Sequence, residues 1–334
     1  MRNTTLNVIV AVLVMSWSTA ARQAAAPPQR QGQPAATGQP SSNRSSVTKE
    51  QFDRWMTELS NWGRWGKDDE RGALNLITGD KRKQAAALAK TGVMVSLSRE
   101  IAKAQGRTGV SEPRPISQMG GFTESFLIEP SAGGDGDYLF ERQEFEYHGA
   151  ALSHFDALCH VAYKVRNYNG FVFKDIVTKD GGCSKLAVTS AKDGIVTRGI
   201  LLDIPGTPVR RVDIEAWEKK TGLRVSAGDA LLLRTGGQMG RGGYDPSVIP
   251  FLKERDIALL GSDVAQEGGQ IPGVTLPIHF FTLVSLGVNL LDNLALEELA
   301  DTAAKLKRWE FMLVVEPLRV RNGAGAPVNP VALF

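Results

Sequence analysis

Short apolar runs alternate along the chain with stretches of helical period. Gly199–Ile204, Ala230–Arg234, Ile257–Leu260 and Val288–Leu291 are nearly free of polar residues. This is the pattern of short strands, and Gly199–Ile204 is expected to be buried on both faces of a sheet. Val93–Ser98 alternates as a half-buried strand, and Lys185–Val188 and Phe311–Val315 read as further short strands. Helices are predicted where apolar positions return at three and four. Thr48 opens a T-K-E-Q capping box before Phe52, Trp55, Met56 and Leu59; Thr78–Lys90 closes at Gly92; Asp213 caps Ile214–Thr221 with Gly222 as the stop; Leu296–Trp309 follows. Strands alternating with helices predict an α/β fold in a single domain.

Other stretches punctuate this pattern. Asn61-Trp62-Gly63-Arg64-Trp65-Gly66 breaks the first helix and offers aromatic surface. Ala102–Asp137 is rich in Gly, Pro and Ser, so long loops of the kind that wall pockets are expected there. Gly236–Gly243 has five glycines but lacks the G-K-[ST] of a phosphate loop, and reads as a flexible turn. No internal repeat is visible.

The N-terminus belongs to a different class of sequence. Arg2, an apolar run from Leu6 to Trp17 and the small residues Ser18-Thr19-Ala20-Ala21 have the layout of a secretory signal peptide, over residues 1–20. The run is too short to span a bilayer comfortably, so no stable membrane insertion is expected after cleavage. Residues 21–47, rich in Ala, Pro, Gln and Ser, read as a disordered tether. The folded domain is expected over 48–334, and the mature protein in the periplasm or outside the cell. Cys159 and Cys183 could pair in an oxidising compartment, but Cys159 lies among the histidines discussed next and is read as a small buried hydrophobe. The formal net charge is only +3 over 334 residues, without a basic stripe, which leaves no electrostatic case for a nucleic-acid partner.

Chemistry concentrates in one stretch. Tyr147–His160, Y-H-G-A-A-L-S-H-F-D-A-L-C-H, holds three of the four histidines of the chain; the fourth is His279. On a β-strand, His148, His154 and Asp156 share a face, with the Cα atoms of His154 and Asp156 about 6.6 Å apart. That is close enough to grip one metal ion. His160 follows past the small Ala157, where a turn can bring its ring over the same site. Imidazole and carboxylate suit zinc, manganese or iron, with one position left for water.

These residues carry a resemblance. His154-x-Asp156-x-x-x-His160 resembles the core of the motif H-x-G-T-H-x-D-x-P-x-H of the cyclase-like metal-dependent hydrolases, the family of bacterial kynurenine formamidases and isatin hydrolases. Asp68–Leu76, Arg198–Asp203, Gly228–Gly236 and His279 followed by Gly287 and Asp292-Asn293-Leu294 are similar to stretches of its longer members. The chain departs from the motif in places. The first family histidine falls on Ala150, and His148 is the nearest substitute; the family proline falls on Leu158; Asp292 stands where a glutamate follows the late histidine.

The resemblance implies a β-barrel-like sheet core of the swivelling β/β/α type flanked by helices. It implies a divalent metal, zinc or manganese, held by His148, His154, Asp156 and Asp292, with His160 and His279 in catalytic roles. It also implies a small-molecule substrate and a homo-oligomer. The expected reaction is hydrolysis of an amide, formamide or lactam C–N bond. His160 would act as an unligated imidazole of ordinary pKa, about 6.5, moving a proton from water to the leaving nitrogen. A metal-dependent cyclase or lyase, and a secreted binding protein with a relic site, are the alternatives.

Overall fold

The computed structural model describes residues 45–101, 121–130, 136–149, 152–206, 208–236 and 242–334. The expected signal peptide, all but the end of the expected tether, Ala150 and residues 237–241 of the glycine-rich stretch lie outside them. The described residues belong to one compact unit. Ser45 and Val47 already pack on it, with Ser45 Oγ donating to Asp245 at 3.1 Å.

In chain order the strands are β1 (Met94–Ser96), β2 (Gly121–Pro130), β3 (Asp137–Glu146), β4 (His154–Asp156), β5 (Val177–Thr178), β6 (Gly182–Cys183) and β7 (Ile195–Asp203). They continue as β8 (Ala230–Arg234), β9 (Leu259–Ser262), β10 (Asn289–Asp292), β11 (Glu310–Val315), β12 (Gly325–Pro327) and β13 (Val331–Leu333). The helices are α1 (Lys49–Glu58), α2 (Gly79–Ala86), α3 (Phe173–Ile176), α4 (Arg211–Thr221), α5 (Ile249–Glu254), α6 (Pro277–His279), which continues as a π-helix over Phe280–Leu286, and α7 (Glu297–Leu306).

One mixed sheet organises the unit, in the order β1-β13-β11-β7-β8-β9-β10-β4-β12. Its centre, β7 to β10, is parallel, and Ile200, Leu201, Leu202, Leu231, Leu232, Leu260, Leu290 and Leu291 are fully buried there. Burial on both faces explains why these strands read as unbroken apolar runs. Polar residues end each parallel strand on the same side: Asp203, Arg234, Ser262 and Asp292. Short β4 runs antiparallel to β10 and sets His154 opposite Asp292 and Asp156 opposite Leu290. Directly paired residues share a sheet face, so this register gathers both carboxylates and His154 on one side.

The helix signals hold in outline. Thr48 Oγ1 accepts from the N–H of Gln51 at 3.2 Å, and Gly222 ends α4 in the left-handed region. Asp213 sits inside α4, its carboxylate accepting from the Arg210 N–H at 2.9 Å, so the helix starts earlier, at Arg211. α2 stops at Ala86 and α7 at Leu306, short of the predicted ends. The strand expected over Val93–Ser98 keeps only its middle, and Ile257–Leu260 shifts forward to β9. Where α6 and its π-helix end, the chain touches the 72–76 turn. The Gly287 carbonyl accepts from the Ala73 N–H at 2.7 Å, and a Cβ on Gly72 (φ +58°) would run into that carbonyl.

Three expectations are corrected. The span read as loops contains β2, which pairs with β3 over all ten residues; Gly121 and Pro130 bound it, and its alternation was hidden among turn residues. Lys185–Val188 is not a strand. Leu186 lies in the left-handed region (φ +60°), and its N–H donates to the Glu70 carboxylate at 2.8 Å instead of to a ladder. Cys159 is buried but not free: it forms a disulfide with Cys183, their Cα atoms 6.3 Å apart.

That disulfide ties the residue before His160 to β6. Replacing both cysteines by serine is expected to cost about 2–5 kcal/mol of stability. Urea unfolding of the oxidised protein, the reduced protein and the double variant measures it, with the last two matching.

Candidate metal centre

All four histidines meet around one carboxylate. Asp156 is 1% exposed, and neither of its oxygens accepts a hydrogen bond. His148 Nδ1 lies 3.0 Å and His154 Nε2 3.6 Å from Oδ1, and His279 Nε2 lies 3.6 Å from Oδ2. The His160 ring stacks on that of His148 at 3.9 Å, nearly parallel, and lies 6.5 Å from that of His279. Two sets of ligand atoms lie within 4.8 Å of one another: His148, Asp156 and His160, and His154, Asp156 and Asp292. Asp156 belongs to both.

The donor set fits a divalent metal. A buried carboxylate with no hydrogen-bond donor is costly unless a cation faces it, and imidazole nitrogen with carboxylate oxygen matches the preference of zinc and manganese. The surrounding groups also set the ligand atoms. The Leu152 carbonyl, 2.8 Å from His154 Nδ1, can only accept, so Nδ1 carries the proton and Nε2 is left bare toward Asp156. Gln266 Nε2 donates to Asp292 Oδ1 at 2.5 Å, leaving Oδ2 to face His279 Nε2 at 3.4 Å. Asn289 holds the backbone carbonyl of Asp156 at 3.0 Å.

His148 reaches the site by a different route from the one its even spacing predicts. β4 covers only His154–Asp156, so His148 is not on that strand face and arrives through the segment after β3. A clamp shapes this segment. Asn293, itself left-handed (φ +57°), donates from Nδ2 to the carbonyls of Gly149 at 2.5 Å and Leu152 at 3.4 Å. Ser153 Oγ donates to the Asn293 carbonyl at 2.7 Å and accepts from the Arg99 N–H at 2.9 Å. One asparagine therefore holds the chain on both sides of Ala150 and fixes the carbonyl that orients His154.

Electrostatics separate the imidazoles. Burial drives the pKa of His160 down to about 4 against the pull of Asp156, and the neighbouring rings push in the same direction as burial. It is therefore a neutral ring at pH 7, not the imidazole of ordinary pKa that the sequence suggested. Burial also opposes charge on His279, but Asp292 and Glu267 overcome it and raise its pKa well above 6.5. Asp156 would be pushed up by burial, yet His160, His154 and His148 hold it far below the usual carboxylate range.

Sequence reasoning missed Glu267 and Gln266. Glu267 Oε1 accepts from His279 Nδ1 at 2.7 Å, and its carboxylate takes the backbone N–H groups of Ile278 and His279 at the start of α6. No motif marks it; its only signal is an acidic residue shortly before the late histidine. The cavity of about 530 Å3 between α1 and Tyr163–Arg166 includes Trp62 but none of the residues of the centre. Tyr163 links the two regions, its ring 5.2 Å from that of Phe280, which follows His279.

Comparison with known proteins agrees with this picture. A family model described as "Putative cyclase" matches residues 65–266. No curated protein sequence matches the chain. Among solved structures, the crystal structure of a novel cyclase is similar with a TM-score of 0.71 at 28% identity, covering 84% of this chain and 99% of that one. Isatin hydrolase A from Ralstonia solanacearum shares the fold with a TM-score of 0.51 at 18% identity, over 75% of this chain and 95% of that one.

Two outcomes follow from the geometry. In metal-free protein, nuclear magnetic resonance should find His160 titrating near pH 4 and His279 still protonated well above pH 6.5. As pH falls from about 6.5 to about 4, the unfolded chain takes up the His160 proton first, so this residue removes stability over that window. His279 acts oppositely: its contribution is complete below pH 6.5 and is lost as pH rises through its folded pKa. Asn293→Ala, which leaves every ligand in place, should weaken metal binding by about 10- to 100-fold in a chelator competition.

Proposed function

The chain belongs to the cyclase family, and from its centre we propose that it is a metal-dependent hydrolase opening a C–N bond of a small amide, formamide or lactam. The observation that carries this is the buried Asp156 carboxylate, bare of hydrogen bonds, with every imidazole of the chain turned around it. His148, His154, Asp156 and Asp292 would hold the ion, zinc or manganese by the nature of the donors. When bound, such an ion supplies Lewis-acid chemistry, polarising a carbonyl and acidifying water.

The protein groups divide the remaining work. His160, kept neutral by burial, accepts a proton from water as the water oxygen bonds to the carbonyl carbon. It returns that proton to nitrogen as the C–N bond breaks, leaving an amine and a carboxylic acid that then loses its proton to water. His279, whose Nδ1 is held by the Glu267 carboxylate at 2.7 Å, can direct Nε2 at the oxygen on which negative charge develops. A flat aromatic substrate is supported by the cavity lined by Trp62 and Tyr163, which connects to the centre through the packing of Tyr163 on Phe280, the residue after His279. A lactam is one candidate because a fold neighbour is an isatin hydrolase. The Cys159–Cys183 disulfide and the apolar N-terminus support a periplasmic or secreted enzyme.

A second reading is a cyclase or lyase, favoured by the description of the family and of its 28% identical neighbour. Turnover of a panel of formamides, lactams and esters in oxygen-18 water separates the two. Hydrolysis places one solvent oxygen in the product carboxylate, and elimination or ring closure places none. His160→Ala should lower turnover by about 10²- to 10⁴-fold while the metal stays bound; loss of the metal with the ring would make His160 a ligand instead.

A further inference from the structure

The His160 ring stacks on that of His148, and its direction is set by the backbone it leaves. The two peptide units before it are each held at both ends. The Leu158 carbonyl accepts from Asn167 Nδ2 at 3.4 Å, and the Cys159 N–H donates to the Leu186 carbonyl at 3.2 Å. The Cys159 carbonyl accepts from Asn167 Nδ2 at 3.3 Å, and the His160 N–H donates to the Ala157 carbonyl at 2.9 Å. On the far side of His160 the same amide donates to the Val161 carbonyl at 2.7 Å. Two hydrogens thus serve three carbonyls, one hydrogen being shared.

Asn167 is in place for its N–H groups. It is fully buried, and its Oδ1 has no hydrogen-bond partner among the described residues. An amide kept in the core with one half unsatisfied is kept for the other half. The chain also accepts strain to deliver it. Tyr163 and Arg166, immediately before, bond each other's backbone at 2.9 and 3.1 Å across a two-residue turn. Both turn residues, Lys164 (φ +46°) and Val165 (φ +64°), lie in the left-handed region, where a β-branched residue is an outlier. Strain of this kind persists only where the surroundings over-determine it, and it collects at functional sites.

The opposite support is strained as well. Leu186, whose carbonyl takes the Cys159 N–H, is fully buried at φ +60°, a conformation that leucine avoids. The Glu70 carboxylate holds it there. One oxygen accepts from the Leu186 N–H at 2.8 Å, and the other accepts from Lys185 Nζ at 2.6 Å. Glu70 therefore reaches the backbone before His160 through a single residue. The Cys159–Cys183 disulfide ties the same turn to β6 independently of both side chains.

We propose that Asn167 and Glu70 are the positioning residues of His160: Asn167 fixes the carbonyls around it, and Glu70, through Leu186, fixes the N–H of Cys159. Together they present the ring to the centre in one direction. The proton transfer by that ring rests on the function proposed above, but its placement does not, and two measurements keep them apart. The first is nuclear magnetic resonance of histidine-labelled full-length protein, with and without zinc, with His160→Ala assigning the signal. Asn167→Ala and Glu70→Ala should each shift and broaden the His160 ring resonances as the stack on His148 loosens, while those of His279 stay in place. The second uses any amide or lactam that the metal-loaded wild type turns over. Each variant should lower kcat about 10- to 100-fold at unchanged KM and metal content, since neither side chain bonds to the residues assigned to the ion. Glu70→Gln keeps an oxygen for the Leu186 N–H and should behave as the wild type; a role confined to the Lys185 ion pair would move both Glu70 variants alike and overturns the proposal. Folded variants with an unmoved His160 signal overturn it too, as does loss of metal or a raised KM in place of a lowered kcat. A panel without turnover counts against the proposed function alone, and the resonances then decide. Should Asn167→Ala fail to fold, the partly exposed Glu70 decides through its two variants.

Discussion

The site depends on one unfavourable arrangement: a carboxylate taken out of water with nothing donating to it. Burying an ionised carboxyl costs several kcal/mol unless an opposite charge or hydrogen bonds replace the lost water. Asp156 has neither oxygen satisfied, and the groups that face it are imidazoles, which are cations only when protonated and ligands only when not. His160 is kept neutral and His279 charged, so the metal-free centre compensates Asp156 only in part. A divalent cation resolves the conflict, because it neutralises the carboxylate and uses the neutral rings as donors.

The fold makes that arrangement possible through register more than through bulk. Three residue pairs tie β4 to β10 and three more tie it to β12. They place His154, Asp156 and Asp292 at the polar end of an otherwise apolar parallel sheet. Around them sits a shell of single-purpose contacts: Leu152 on His154, Gln266 on Asp292, Glu267 on His279, and Asn293 across the segment that brings in His148. Each fixes a tautomer or a lone pair, the kind of detail on which metal affinity turns.

Much of this was legible in the sequence. Apolar runs such as Ala230–Arg234 become buried parallel strands because only burial on both faces tolerates them. The crowding of imidazole into Tyr147–His160 marked the centre before any coordinates. What stayed hidden depends on chain geometry that no local pattern encodes. His148 reaches Asp156 through an irregular segment held by Asn293, 145 positions away, not through the strand that its spacing suggested. Glu267 acts only because α6 begins beside it. β2 was lost among glycines and prolines, and the disulfide requires β6 to fold under the 157–160 turn.

The most direct measurement is the metal content of purified protein by elemental analysis, comparing wild type with Asp156→Asn. The substitution keeps the shape of the side chain but removes the charge on which the ligand set converges. One or two equivalents of zinc or manganese in the wild type, absent from the variant, is the predicted result. Protein that stays metal-free after incubation with both ions, or a variant that binds as well as the wild type, would contradict the account and leave a binding protein with an unused cluster of imidazoles.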